Sequence, residues 1–475
     1  MRNVHRAWST TLGALLLVWC AGAANAQSPD ADQSRGGMRS LREPHLGGSR
    51  NIKVMSHLPL GAWSQVMDIE VEQELSRPYV YVARSDFLPL LGQKTADGSS
   101  SKGVDIISIR DPAHAKLLYS WRIENQELHR PLGSLDNEYF KLKGRYYDVI
   151  GLQFLQGGPD VDVGAVVLDV TGLPDTTTVR EAGRIHAPAT PGGFHNAVPY
   201  KHSDGRVLLF TTTSSPSTNV YDMEKLLAKD PQQGLIAKIV NPDSSGLFKG
   251  YHDFYIGYDP ANHRDVFYGA GFNGYYIYDV TNINEPKLLT SIVGTAGMFI
   301  AHTITPDPTG RYVVTEMEYQ YTPLRIFDLK PGLDGTVKSI SRPIGAWANS
   351  WDGNAHNHEV RWPYVFVAGY MDGLQVFNMM DPTNPYTVGY YYTCDCLLPA
   401  GKDGAGEVGG MDGVFGVDVR NADGLIVASD RRSGFWALKM DGFDGWNGHQ
   451  WGMPNISSAQ DWDSGPEGAP KAKTS

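Results

Sequence analysis

The chain has 475 residues and a formal net charge of -11, with 52 Asp plus Glu against 41 Lys plus Arg. This balance argues against nucleic acid or an anionic membrane surface as the main partner. Three cysteines are too few for a disulfide framework, so the fold must rest on burial, which a chain of this length can supply.

In chain order, residues 1–26 carry Arg2 and Arg6, an apolar core from Leu12 to Trp19 and Ala24-Asn25-Ala26 before Gln27. That pattern reads as a cleaved secretory signal and predicts a periplasmic or secreted protein. Trp19 before Cys20 does not fit a lipid-anchor signal. No later stretch approaches the ~20 apolar residues of a membrane helix, so no membrane span is expected. Residues 27–50 and 441–475, rich in Ser, Gly, Pro, Asp and Lys, read as a flexible leader and a polar tail.

Between them, 51–440 is a succession of short Val-, Ile-, Tyr- and Phe-rich runs broken by turn residues, with Met223 to Lys229 the one short helix expected. The runs repeat. Val104 to Pro112, Tyr275 to Thr281 and Leu374 to Pro382 each form a strand that ends in a polar turn, flanked by a strand on either side. With an opening strand this makes four strands per unit, at the roughly 40 to 50 residue period of propeller blades.

Seven openings are expected: Met67 to Glu70, Tyr147 to Ile150, the strands led by His195, His252, His302 and His358, and Phe415 to Asp418. The last unit supplies only three strands, ending at Met440. Asn51 to Ser56, similar to the outer-strand run Ala115 to Ser120, is the expected fourth. The prediction is an all-β, seven-bladed propeller closed by an N-terminal strand joining the last blade, which removes an exposed sheet edge.

Ala165-Val166-Val167-Leu168-Asp169-Val170 resembles the repeat that names the LVIVD-repeat family of secreted β-propellers. The resemblance covers about residues 51 to 440 and implies the fold rather than an activity.

The residues that start the innermost strands should surround one mouth of the channel, which places Met67, Tyr147, His195, His252, His302, His358 and Phe415 in a ring. Four imidazoles suit a divalent transition metal with open positions, iron or copper first and zinc next. This resembles, in architecture and ligand type, the carotenoid-cleaving oxygenases and the selenium-binding or methanethiol oxidase group. The resemblance implies an exported metal-dependent oxidoreductase or oxygenase acting on a small organic substrate.

Loops on the same face bring Glu316, Glu318, Tyr319 and Tyr321, then Asp430, Arg431 and Arg432, and also Trp351 and His356. Tyr147, Glu316, Glu318 and Arg431 are the candidate catalytic groups among them. Carboxylates here could fix the imidazole tautomers. Asp253 and Glu359, one residue after a histidine, should turn away from the axis.

Cys394-Asp395-Cys396 is expected to form a strained disulfide, with a redox pair or a soft-metal site as alternatives. His202 and His263 fall in turns and are expected to face solvent. Two rivals to the enzyme reading remain: a non-catalytic LVIVD-type propeller binding protein or glycan at a surface, and a periplasmic metal-binding protein. Convergence of the ring nitrogens decides whether a metal site exists, and an open or sealed channel above it separates turnover from storage.

Overall fold

The third strand of each of the first six repeats ends on a short polar residue. Ser108, Asp169, Asp222, Asp279, Asp328 and Asn378 each accept the backbone N–H two residues on, at 2.7 to 3.4 Å. This side-chain turn competes with continued strand pairing and sends the chain outward to the fourth strand. A computed structural model describes residues 47–446 apart from 62–64, 87–100, 125, 127–131, 155–159, 244–248, 299, 351–352 and 395–410.

The repeats form seven antiparallel sheets arranged as the blades of a propeller. The inner strands, in blade order, are Val66–Val71, Asp136–Leu142, Ala197–Lys201, Tyr251–Asp259, Thr303–Pro306, His358–Arg361 and Val414–Arg420. The expected closure is present: Ile52–Leu58 pairs antiparallel with Gly434–Met440, Ile52 opposite Met440 and Leu58 opposite Phe435. A further short strand, Gly47–Gly48, adds to the outer edge of blade 6.

Apolar side chains fill the gaps between blades, so central strands are covered on both faces. Every residue of Val163–Asp169 is buried, and each fully buried Val or Leu in it is worth roughly 1.5–3 kcal/mol. Among the described residues, no helix is long and apolar enough to cross a membrane.

Two expectations need correcting. Blade 2 opens with Asp136–Leu142, and the strand containing Tyr147, Arg145–Gly151, is its second. Tyr147 therefore lies opposite Phe140, with ring centroids 5.0 Å apart and stacked, and is not in the axial ring. His202 does not face solvent. It is 1% exposed, donates from Nε2 to the Val280 carbonyl at 3.1 Å and has Nδ1 3.0 Å from Asp204, fastening a turn of blade 3 to blade 4. His263 is exposed, as expected.

Candidate metal centre

Three of the four expected histidines reach the channel mouth. His195 stands two residues before the blade 3 inner strand and His302 one residue before that of blade 5, while His252 sits inside the blade 4 strand at a bulge. Pairing there skips from Tyr251 to Asp253, and the extra residue breaks the usual alternation. His252 and Asp253 thus both line the channel, against the expectation that Asp253 turns away. Ring centroids are 4.5 Å apart for His195 and His252, and 4.1 Å for His252 and His302.

His358 does not join them. Glu359 faces the channel, where it interacts with Asp418 and Asp253, so alternation turns His358 outward, against the Val314 backbone of blade 5. The blade 6 residue at the mouth is His356, two residues before its strand as His195 is before its own, with its ring 5.0 Å from that of His302. The axial site of His195, His252, His302 and His358 is therefore not formed.

Among the described residues, the group able to hold a metal ion is His252, His302 and Glu318, whose ligand atoms all lie within 4.8 Å of one another. Nδ1 of His252 and Nε2 of His302 are buried without a hydrogen-bond partner, and the latter is 3.3 Å from Oε2 of Glu318. On its other side His302 places Nδ1 2.7 Å from Oε2 of Glu316. A proton shared with that carboxylate leaves the Nε2 lone pair free for a cation, the arrangement by which outer carboxylates orient ligating imidazoles. Glu316 thus takes the orienting role that the sequence suggested for carboxylates, while Glu318 is a ligand candidate rather than part of the wall.

Corresponding loops of three blades hold Glu318 in place. After the second strands of blades 5, 6 and 7 come Glu318, Tyr370 and Arg431. The Tyr370 hydroxyl donates to Oε1 of Glu318, and the Glu318 backbone N–H donates to Glu316. Glu318 and Tyr370 adopt φ of 43° and 45°, a left-handed backbone that non-glycine residues rarely hold without support from their surroundings. Arg431 is 1% exposed, donates from Nη1 to the Met411 carbonyl at 2.7 Å and lends positive charge to the vicinity of Glu318.

Burial sets the protonation of the cluster. It pushes His195 down to about 4, and takes His252 and His356 well below the ordinary imidazole value, with repulsion from His302 adding to each. These rings are neutral at neutral pH, the form that ligates metals. Burial also raises Glu316 well above, and Glu318 above, the usual carboxylate range, although the neighbouring His302 and the Tyr370 hydrogen bond oppose the shift at Glu318.

Asp68, Asp136, Asn196, Asp253 and Asn357 surround a cavity of about 20 Å³ beside these rings, space for about one water. Burial pushes Asp136 and Asp253 up to about 6. The changed ligand set overturns the expected four-histidine oxidoreductase or oxygenase.

Of the remaining wall candidates, Tyr321 is half exposed and Asp430 bonds Thr393. Trp351 lies outside the described residues. Cys394 is disulfide-bonded, while Cys396 lies outside the described residues, as do the expected signal segment and most of the leader and tail. No family model matches the chain and no curated protein matches it, so the likeness to LVIVD-repeat proteins finds no support beyond the seven-bladed architecture.

Proposed function

We propose that this protein is an exported metal-binding propeller that holds one divalent transition-metal ion through His252, His302 and Glu318. The observation that carries this reading is the pair of buried, unpartnered imidazole nitrogens beside the Glu318 carboxylate. A buried polar atom without a partner costs roughly 1–3 kcal/mol, and two such ring nitrogens beside the Glu318 carboxylate are accounted for by a cation. Two imidazoles and one carboxylate suit a zinc-class ion, with a single water in the cavity as fourth ligand.

The small cavity favours retention of the ion over turnover of a substrate. Glu316 orients His302, Tyr370 holds Glu318, and Arg431 offsets carboxylate charge at the rim. Export to the periplasm or beyond rests on the signal-like segment of residues 1–26. The test is metal analysis of the purified protein beside a His252→Ala/His302→Ala variant. About one equivalent should be bound by the former and lost from the latter, and equal metal content in the two sinks the reading.

A further inference from the structure

The face of the propeller opposite the metal centre carries a cleft of about 630 Å³. The triad gathers where inner strands begin, whereas the cleft lies where those of blades 6 and 7 end, at the turns that follow Arg361 and Arg420. Trp362 and Tyr364 of blade 6, Asn421 of blade 7, and Phe443, Asp444 and Trp446 from the chain just past the last strand line it. Its volume falls in the roughly 300–1,000 Å³ range of small-ligand clefts.

The aromatic wall is fixed in place before any ligand arrives. Trp446 is tied to both blades: its backbone N–H donates to the Asn421 carbonyl at 2.8 Å and its indole Nε1 to the Trp362 carbonyl at 3.1 Å. Phe443 is 4% exposed and meets the Tyr364 ring edge-on, with centroids 5.8 Å apart. Gly445 has φ of 141°, and a Cβ there would stand 2.6 Å from the Asn421 carbonyl oxygen, so only glycine lets the segment turn this close to blade 7. Trp362 and Tyr364 stay partly exposed, and a surface ordered in advance loses little further freedom on binding.

The polar groups define what the rings would hold. Oδ1 of Asn421 accepts from Arg361 Nε at 2.6 Å, so the other end of that amide is its NH2, a donor. Asp444 is exposed at the rim, and its carboxylate only accepts. A ligand that serves both must accept from one and donate to the other, as hydroxyl groups do, and must also offer an apolar face to the rings. Neutral sugars combine the two: hydroxyls surround the edge of a pyranose, and the slightly positive C–H bonds of its face complement the negative face of an aromatic ring. A cation is served less well, because the Arg361 guanidinium already stands over the Trp446 ring, 6.0 Å from its centroid.

We propose that the cleft between blades 6 and 7 is a carbohydrate-binding site for a neutral oligosaccharide, with the C–H face of one pyranose against Trp362 and Tyr364 and its hydroxyls on Asn421 and Asp444. The test is calorimetric titration of the whole protein with cellotriose, maltotriose and chitotriose, three neutral trisaccharides that differ in linkage or substituent. At least one should bind saturably, with a Kd in the micromolar to millimolar range, and shift the tryptophan emission, since Trp362 and Trp446 line the cleft. Asp444→Ala should weaken binding ~10-fold, and Trp362→Ala at least ~10-fold. The His252→Ala/His302→Ala variant should bind the sugar unchanged, which separates this site from the triad.

No heat and no emission change with any of the three sugars overturns the proposal. So does sugar binding that Asp444→Ala and Trp362→Ala both leave unaltered, or that the two histidine changes abolish. Saturable binding of tetramethylammonium in place of the sugars would make the cleft a cation cage and overturn it as well. Should Trp362→Ala fail to fold, the exposed Asp444→Ala decides the location alone.

Discussion

His302 and His358 stand at the openings of neighbouring inner strands, and both are almost wholly buried, at 2% and 3% exposed. One presents Nε2 to Glu318 at the channel mouth, while the other is turned into the packing between blades 5 and 6. The difference is one residue of register. His302 lies just before its strand, its backbone N–H donating to the Glu316 carbonyl at 3.0 Å, whereas His358 is the first paired residue, opposite Val367. Once strand alternation applies, a neighbour of the other parity, Glu359, owns the channel side. Burial and residue type are thus insufficient to identify a ligand, because the parity of the position decides what it faces.

The largest expected effect comes from exchanging each histidine for alanine. His302→Ala should weaken zinc binding by at least ~100-fold, while His358→Ala should leave it intact and lower stability by roughly 2–4 kcal/mol through a packing defect. Metal titration and denaturant unfolding of the two variants read this directly, and metal loss in both would erase the contrast. A smaller effect should follow at Glu316, which holds His302 without belonging to the triad. Glu316→Gln keeps the shape but weakens the hold on Nδ1, and zinc affinity measured by competition should fall ~10-fold.

The smallest effect concerns Glu359, the residue that takes the channel side from His358. Burial, with repulsion from Asp418 and Asp253, pushes it up to about 7 despite its pair with Arg361, and Glu70 and Glu138 face it from blades 1 and 2. A carboxyl raised in the folded state contributes stability that is complete below its unfolded value of about 4.5 and is lost as pH rises through the folded value. Chelator-treated protein should lose stability between about pH 5 and 8, and Glu359→Gln should flatten that slope. A slope unchanged by the substitution would place the titration elsewhere.

Much of the architecture was legible because each blade repeats its own local chemistry. The polar residue ending strand three and the strand-like Ile52–Leu58 both announce themselves in composition, and both do what their sequences imply. Blade 2 was misread because Asp136-Asn137-Glu138 looks like a loop. Its acids belong to an inner strand whose charged side chains face the channel, so ordinary strand propensity does not describe it. His252 and His302 were found by position. Glu318 was read as a wall and catalytic candidate rather than a ligand, since its approach to the triad depends on a left-handed turn that its own residue type does not favour. His356 carried a usable signal, its two-residue offset from the strand matching that of His195, but the more obvious His358 nearby concealed it.

The pairing of Ile52–Leu58 with Gly434–Met440 also sets an order of events in biosynthesis. The earliest described strands leave the ribosome long before their partner exists, and the last blade emerges with an open edge that only residues from ahead of blade 1 can satisfy. Blades 1 to 5 can each complete a sheet from contiguous chain and blade 6 all but its two-residue outer strand Gly47–Gly48, but the seam cannot be sewn until residue 440 has appeared. The first and last parts of the propeller therefore mature together, and a nascent chain carries one unsatisfied edge for almost the whole of its synthesis.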